Sequence, residues 1–105
     1  MKKKFNTELN IHPGIILKRE FLEELQISAR TLSIETGIAE SNMSQILKGK
    51  RSITAHISLL LGKFFQLNEE YFLSIQNHYD FTKEKIEHWE KISKIRPYHK
   101  LKKSA

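Results

Sequence analysis

Apolar residues recur along this chain at three- and four-residue intervals, and no period-two run interrupts them. A first helix is expected from His12-Pro13-Gly14, with proline at the first helical position, where its missing N–H costs nothing. Leu17, Phe21, Leu22 and Leu25 then form its inward stripe, with Glu20, Glu23 and Glu24 among them. Ile27-Ser28 breaks the pattern, and Ser28 is a good N-cap for a second helix over 29–36, ended by Gly37. A third helix spans about 40–48 and is closed by Gly49. Thr54 caps a fourth, whose Ile57, Leu60, Leu61, Phe64 and Phe65 make the most apolar stripe in the chain. Asn68-Glu69-Glu70 opens a fifth with a capping residue and two acids on the positive end of the helix dipole. Its stripe is Tyr71, Phe72, Ile75 and Tyr79. Around Asp80-Phe81-Thr82 the register changes, and residues 83–95 continue helically with Ile86, Trp89 and Ile92 until Pro97. The fold class is therefore all-α.

The second and third helices carry the chemistry. Two short helices joined by a tight turn containing glycine form a helix-turn-helix, and Gly37 supplies the positive φ that the turn requires. Leu32, Ile38, Met43 and Ile46 fall where each helix must face the core, and the small Ser33 lets the two helices cross closely. On a wheel of about 100° per residue, Met43, Ile46 and Leu47 point inward. Ser41, Ser44, Gln45 and Lys48 point outward, with Asn42 on the flank. Gln and Asn side chains pair with adenine in the major groove and serine serves any base, so Ser41, Asn42, Ser44 and Gln45 are the expected base readers. Lys48-Gly49-Lys50-Arg51 follows directly, and with Ser28 at the start of the second helix it suits phosphate. Two residues fit this face less well. Ala39 sits at the N-cap of the third helix and forfeits about 1 kcal/mol against serine. Glu40 suits the dipole but repels phosphate, so its expected role is to accept from cytosine N4.

Charge changes the picture at the ends only. The net charge of +6 is uneven: residues 1–4 and 91–105 hold nine of the 18 Lys and Arg and no acid, leaving residues 5–90 at −3. The 105 residues suit one domain, divided into a basic arm (1–10), the helix-turn-helix domain (11–80), a C-terminal helix (81–96) and a basic tail (97–105). Cysteine is absent, which excludes disulfides and thiolate metal sites. The longest apolar run, 59–61, is far too short for a membrane span, and no apolar region follows the basic start to make a secretory signal. A cytoplasmic protein with no membrane partner is expected. None of the five histidines pairs with another at helical spacing, so no metal or cofactor is expected. Glu84 and His88 are an i,i+4 pair of the kind common on exposed helices. No nucleophile–base constellation points to an enzyme. Binding of RNA by the tails is disfavoured because the aromatic residues fall at core spacing rather than on a stacking platform.

Three blocks carry a more specific resemblance. The first is Ile11-His12-Pro13-Gly14 with Leu17 and Glu20-Phe21-Leu22. The second is the motif itself, with Gly37, Ser44, Ile46-Leu47, Gly49, Arg51 and Ile53-Thr54. The third is Phe64-Phe65 with Tyr71-Phe72-Leu73, Ile75-Gln76 and Tyr79-Asp80. In these the chain resembles the HigA family of antitoxins within the Xre/Cro-type helix-turn-helix class; the middle block alone would indicate only an Xre-type DNA binder. Ala39 departs from the serine usual there. The resemblance implies a five-helix Xre/lambda-repressor-like domain with a C-terminal helical extension. It also implies an antitoxin that neutralises a HigB-type, mRNA-cleaving toxin protein and represses its own operon at double-stranded operator DNA, usually as a homodimer. HigB-type toxins are typically basic, so Glu20, Glu23, Glu24 and Glu35 are the candidate toxin contacts. Phe81, Ile86, Trp89 and Ile92 exceed what a core of this size needs and are the candidate dimer contacts. The alternative is an Xre-family repressor without a toxin partner.

Overall fold

The computed structural model describes residues 10–99; the expected basic arm, apart from Asn10, and the end of the basic tail lie outside them. Among the described residues there are five main helices and no strand. The first, α1, is continuous through three segments: Pro13–Ile16, a π-helical stretch Leu17–Leu22, and Glu23–Leu25. It is followed by α2 (Ala29–Thr36), α3 (Glu40–Leu47), α4 (Ala55–Phe65) and α5 (Tyr71–Ser93).

The termini form for the reasons their residues suggest. Ser28 Oγ accepts from Thr31 N–H at 3.0 Å and Thr54 Oγ1 from Ile57 N–H at 3.2 Å, each satisfying a donor the first turn would otherwise leave open. Ala39 makes no such bond at the start of α3. Gly37 ends α2 at φ 81°. At the end of α3, Lys50 N–H donates to Gln45 C=O and Gly49 N–H to Ile46 C=O, both at 2.9 Å, the paired bonds of a glycine-terminated helix.

Leu17, Leu22, Leu32, Ile38, Met43, Ile46, Ile53, Ile57, Leu61 and Phe72 make one core, with Phe21, Phe64 and Phe65 packed against it. The aromatic rings interlock there: Phe21 lies 5.0 Å from Phe65 and 5.2 Å from Phe72. Leu25, expected inward, is instead 56% exposed. The π turn explains this. Glu23 N–H donates to Lys18 C=O, five residues back, so the buried face passes from Leu17 to Leu22 and the stripe after it is rotated out of phase.

The fifth helix also differs from expectation. It runs unbroken through Asp80-Phe81-Thr82, and its one non-helical residue is His88, at φ −124° and ψ 20°. Helix α5 is thus kinked at His88 and not at Asp80, and its buried residues, Phe72 and Gln76, lie in its first half.

Candidate nucleic-acid interface

The candidate reading residues lie on α3 and the turn after it. Met43 and Ile46 are buried, which fixes the roll of the helix, while Leu47 is only half-buried. Glu40, Ser41 and Lys48 are exposed, and Asn42, Ser44 and Gln45 are half-exposed. Asn42 Oδ1 is enclosed without a hydrogen-bond partner among the described residues. Lys50 and Arg51 are exposed on the turn, and Ser28, the α2 cap, is exposed as well.

The helix is held in place by the two flanking blocks, and here the sequence reading missed three supports. His12 Nδ1 accepts from Gly14 N–H at 2.8 Å, so the imidazole caps α1. Gly14 lies directly against the carbonyl of Ile46 in α3, and a Cβ there would overlap that oxygen and come within 2.7 Å of the carbonyl carbon. His12 in turn sits beneath Gly49, where a Cβ would lie 3.5 Å from its ring. The His-Pro-Gly start is thus the seat for the end of α3.

The third support is Gln76, buried on α5. Its Oε1 accepts from Ile53 N–H at 2.7 Å and its Nε2 donates to Asp80 Oδ1 at 3.0 Å. The turn that carries Lys50 and Arg51 is therefore tied to α5 across 23 residues of chain. Tyr79 packs edge-on against His12 at 5.1 Å between ring centres, closing the circuit between α5 and the α1 seat. Burial lowers the pKa of His12 below its usual 6.5, opposed by the Asp80 carboxylate and assisted by Lys83. A neutral imidazole is what the cap requires, since a protonated Nδ1 has no lone pair to accept with. A polar residue inside an apolar stripe, as Gln76 is between Phe72 and Tyr79, was the available signal.

Glu40 has a partner the sequence did not announce. Arg30, in the first turn of α2, reaches its carboxylate at 3.3 Å across the helix-turn-helix angle. The four glutamates assigned to a toxin contact, Glu20, Glu23, Glu24 and Glu35, are all exposed. Of the residues assigned to a dimer contact, Phe81 is 68% exposed, Trp89 38% and Ile92 40%, while Ile86 is half-buried beside Asn10 and Tyr79. Glu84, Glu87 and His88 cluster on the same helix, all exposed, with His88 Nε2 3.6 Å from Glu84. This has the form of an exposed i,i+4 helix pair. No helix among the described residues is long and apolar enough to cross a membrane.

No family model matches the chain. Over 70 residues it is 34% identical to virulence-associated protein I of Dichelobacter nodosus; the match takes in 67% of this chain and 65% of that protein, so the chain spans a little under two thirds of its length. Among solved structures, an addiction module antidote protein of the HigA family from Coxiella burnetii is 37% identical, with 85% of this chain and 98% of that one covered at a TM-score of 0.78. The antitoxin HigA of Pseudomonas aeruginosa, solved with the higBA promoter, is 28% identical, with 85% and 98% covered at a TM-score of 0.80. Matched over nearly the whole length of both of these proteins and with the same helical architecture, the chain belongs to the HigA family of helix-turn-helix antitoxins.

Proposed function

We propose that this protein binds the operator of its own operon and neutralises a HigB-type, mRNA-cleaving toxin encoded beside it, acting through binding and not catalysis. The observation that carries the DNA half is the braced α3. An uncharged polar face of exposed Ser41 and half-exposed Ser44 and Gln45 meets solvent, with Asn42 on its flank and its Oδ1 enclosed, and Gly14 and Gln76 hold the end of α3 and the following turn from two other helices. A reader that must distinguish bases needs this rigidity, because a shift of an ångström disrupts a bidentate contact. Ser41, Asn42, Ser44, Gln45 and Glu40 read bases, and Ser28, Lys48, Lys50 and Arg51 hold phosphates. The Pseudomonas relative solved with its promoter supports the same use of the fold.

Assembly follows from DNA geometry. One α3 covers one half-site, and paired half-sites lie about 34 Å apart, so a homodimer is required to read both. The outer half of α5 supplies the contact through Phe81, Ile86, Trp89 and Ile92, of which Phe81 and Ile92 are exposed large apolar residues. The toxin is held on the acidic surface of Glu20, Glu23 and Glu24 on α1 and Glu35 on α2, which leaves α3 available to DNA.

Co-expression with the product of the adjacent gene tests the toxin half. Co-purification and rescue of growth support it; failure to protect leaves an Xre-type repressor without a toxin partner. Footprinting on the protein's own promoter tests the DNA half, and binding to promoter and random duplex with equal affinity would remove it.

A further inference from the structure

A cleft of about 320 Å³ opens between α1, α2 and α3; its lining includes the apolar Ala29 and Leu47, and its polar members are Lys18, Arg30, Ser33, Glu40, Ser44 and Lys48. Three helices therefore bring three cations to one hollow, against a single acid. The hollow abuts the start of α2, where Ser28 Oγ already satisfies Thr31 N–H and the N–H groups before it have no intrahelical acceptor. One side chain in its lining is a buried donor without a partner among the described residues: Ser33 is only 5% exposed, and its Oγ makes no hydrogen bond to any of them. Cations, a helix start and an unsatisfied hydroxyl together describe a place for an anion. Glu40 is the exception, and Arg30 holds it at 3.3 Å.

We propose that this cleft seats one backbone phosphate of the operator, with Lys18 as an anchor supplied from outside the helix-turn-helix, and that the Arg30–Glu40 pair gates it. The proposal rests on the DNA-binding reading and deepens it. A phosphate entering the cleft competes with Glu40 for the Arg30 guanidinium. Both partners are largely exposed, so the pair is weak and readily exchanged. Once Arg30 turns to the phosphate, the Glu40 carboxylate is left beside a second negative charge. That arrangement is favourable only if a base donor, such as the N4 amino group of cytosine, takes up the carboxylate. On a duplex without a donor at that position, Glu40 retains Arg30 and repels the phosphate. A phosphate contact, in itself blind to sequence, thereby becomes conditional on one base.

The test uses the full chain, its own promoter duplex and a random duplex of equal length, titrated across salt concentrations. Lys18→Ala is expected to flatten the slope of log affinity against log salt on the promoter by about 0.9, the value for one phosphate. Thermal melting should be unchanged, since Lys18 is exposed. A scan with single neutral methylphosphonates is expected to find one phosphate whose neutralisation weakens the wild type more than it weakens Lys18→Ala, in which only Arg30 and Lys48 remain to lose. Glu40→Gln is expected to tighten binding to random DNA and to lower the promoter-to-random ratio about tenfold, the scale of one lost base contact. An unchanged salt slope in Lys18→Ala, with the wild type still preferring its promoter, would overturn the phosphate seat alone. An unchanged promoter-to-random ratio in Glu40→Gln would overturn the gate. A wild type with no preference for its promoter would overturn the DNA-binding reading together with both.

Discussion

Replacing Gly14 with alanine separates two reasons for a glycine. Gly14 is in the first turn of α1, in ordinary helical backbone, so its role is not conformational. A methyl there overlaps the Ile46 carbonyl oxygen and lies 2.7 Å from the carbonyl carbon, and the obstacle is backbone that cannot rotate away. Either α1 or the end of α3 must shift. Overpacking of this kind costs about 1–3 kcal/mol, and a backbone obstacle puts it toward the upper end. The gain in helix propensity offsets at most about 1 kcal/mol, leaving a loss of roughly 2 kcal/mol. At roughly 4–8 °C per kcal/mol for a domain of this size, Tm falls by roughly 8–16 °C. Gly37 is the control: at φ 81° with no atom within 4 Å of a Cβ, Gly37→Asn adopts the left-handed backbone at little cost and should melt within a few degrees of wild type. Circular dichroism melting measures both. Because the shift moves the end of α3, promoter affinity should also fall more than random-DNA affinity, at a temperature where both proteins are folded. A Gly14→Ala protein that melts at or above the wild-type temperature would refute the claimed contact between α1 and α3.

Gln76→Leu leaves the buried Ile53 N–H without an acceptor and should cost about 1–3 kcal/mol. Gln76→Glu keeps the acceptor but faces Asp80 with a second carboxylate, so its loss should shrink as pH falls; equal melting of both variants and wild type would break the proposed tie to α5. His12 has its folded pKa below the unfolded 6.5, so the unfolded chain takes up the proton first and stability is lost as pH drops below about 6.5. A capping His12→Asn variant should show a shallower loss of Tm between pH 7 and 5, and an identical profile would exclude His12 as the group responsible. Gln45→Ala should lower promoter affinity by roughly 1–3 kcal/mol with little change on random DNA, whereas Lys50→Ala and Arg51→Ala should weaken both duplexes alike and flatten the salt dependence. Equal losses on both duplexes for Gln45→Ala would show that it reads no base.

The elements of this fold were legible because their signals are local. Ser28, Thr54, Gly37 and Gly49 mark helix ends through side-chain oxygens or positive φ, and the structure places them at those ends. Leu25 was misplaced because a π turn is a change of backbone phase that a fixed 100° wheel cannot represent. The supports of α3 were hidden for a different reason. Gly14 with Ile46, Gln76 with Ile53 and Arg30 with Glu40 are contacts between helices, and periodicity describes only which face turns inward, not which neighbour it meets. The long α5 was divided at Asp80 because the phase of its apolar positions shifts there. Full burial stops at that point, with Ile86 half-buried beyond it, while the helix continues.

The same contacts bear on whether toxin and operator are held together. The N-terminal end of α1 is coupled to α3 through Gly14 and His12. Glu23 and Glu24 lie at the other end of α1, beyond the π turn, where the helix closes on Gln26 in left-handed backbone. A partner gripping that end does not press on the seat of α3. Reversing both charges, Glu23→Lys with Glu24→Lys, is accordingly expected to slow association with a basic toxin and to weaken its salt dependence, since exposed charge acts mainly on the encounter. Promoter affinity of the isolated protein should not fall, because both carboxylates are exposed and removing negative charge does not repel phosphate. Stopped-flow association at low salt, together with a promoter titration, measures the two effects independently. Association at the wild-type rate would place the toxin on another face. A loss of promoter affinity would mean that the two ends of α1 are mechanically joined and that toxin and operator compete.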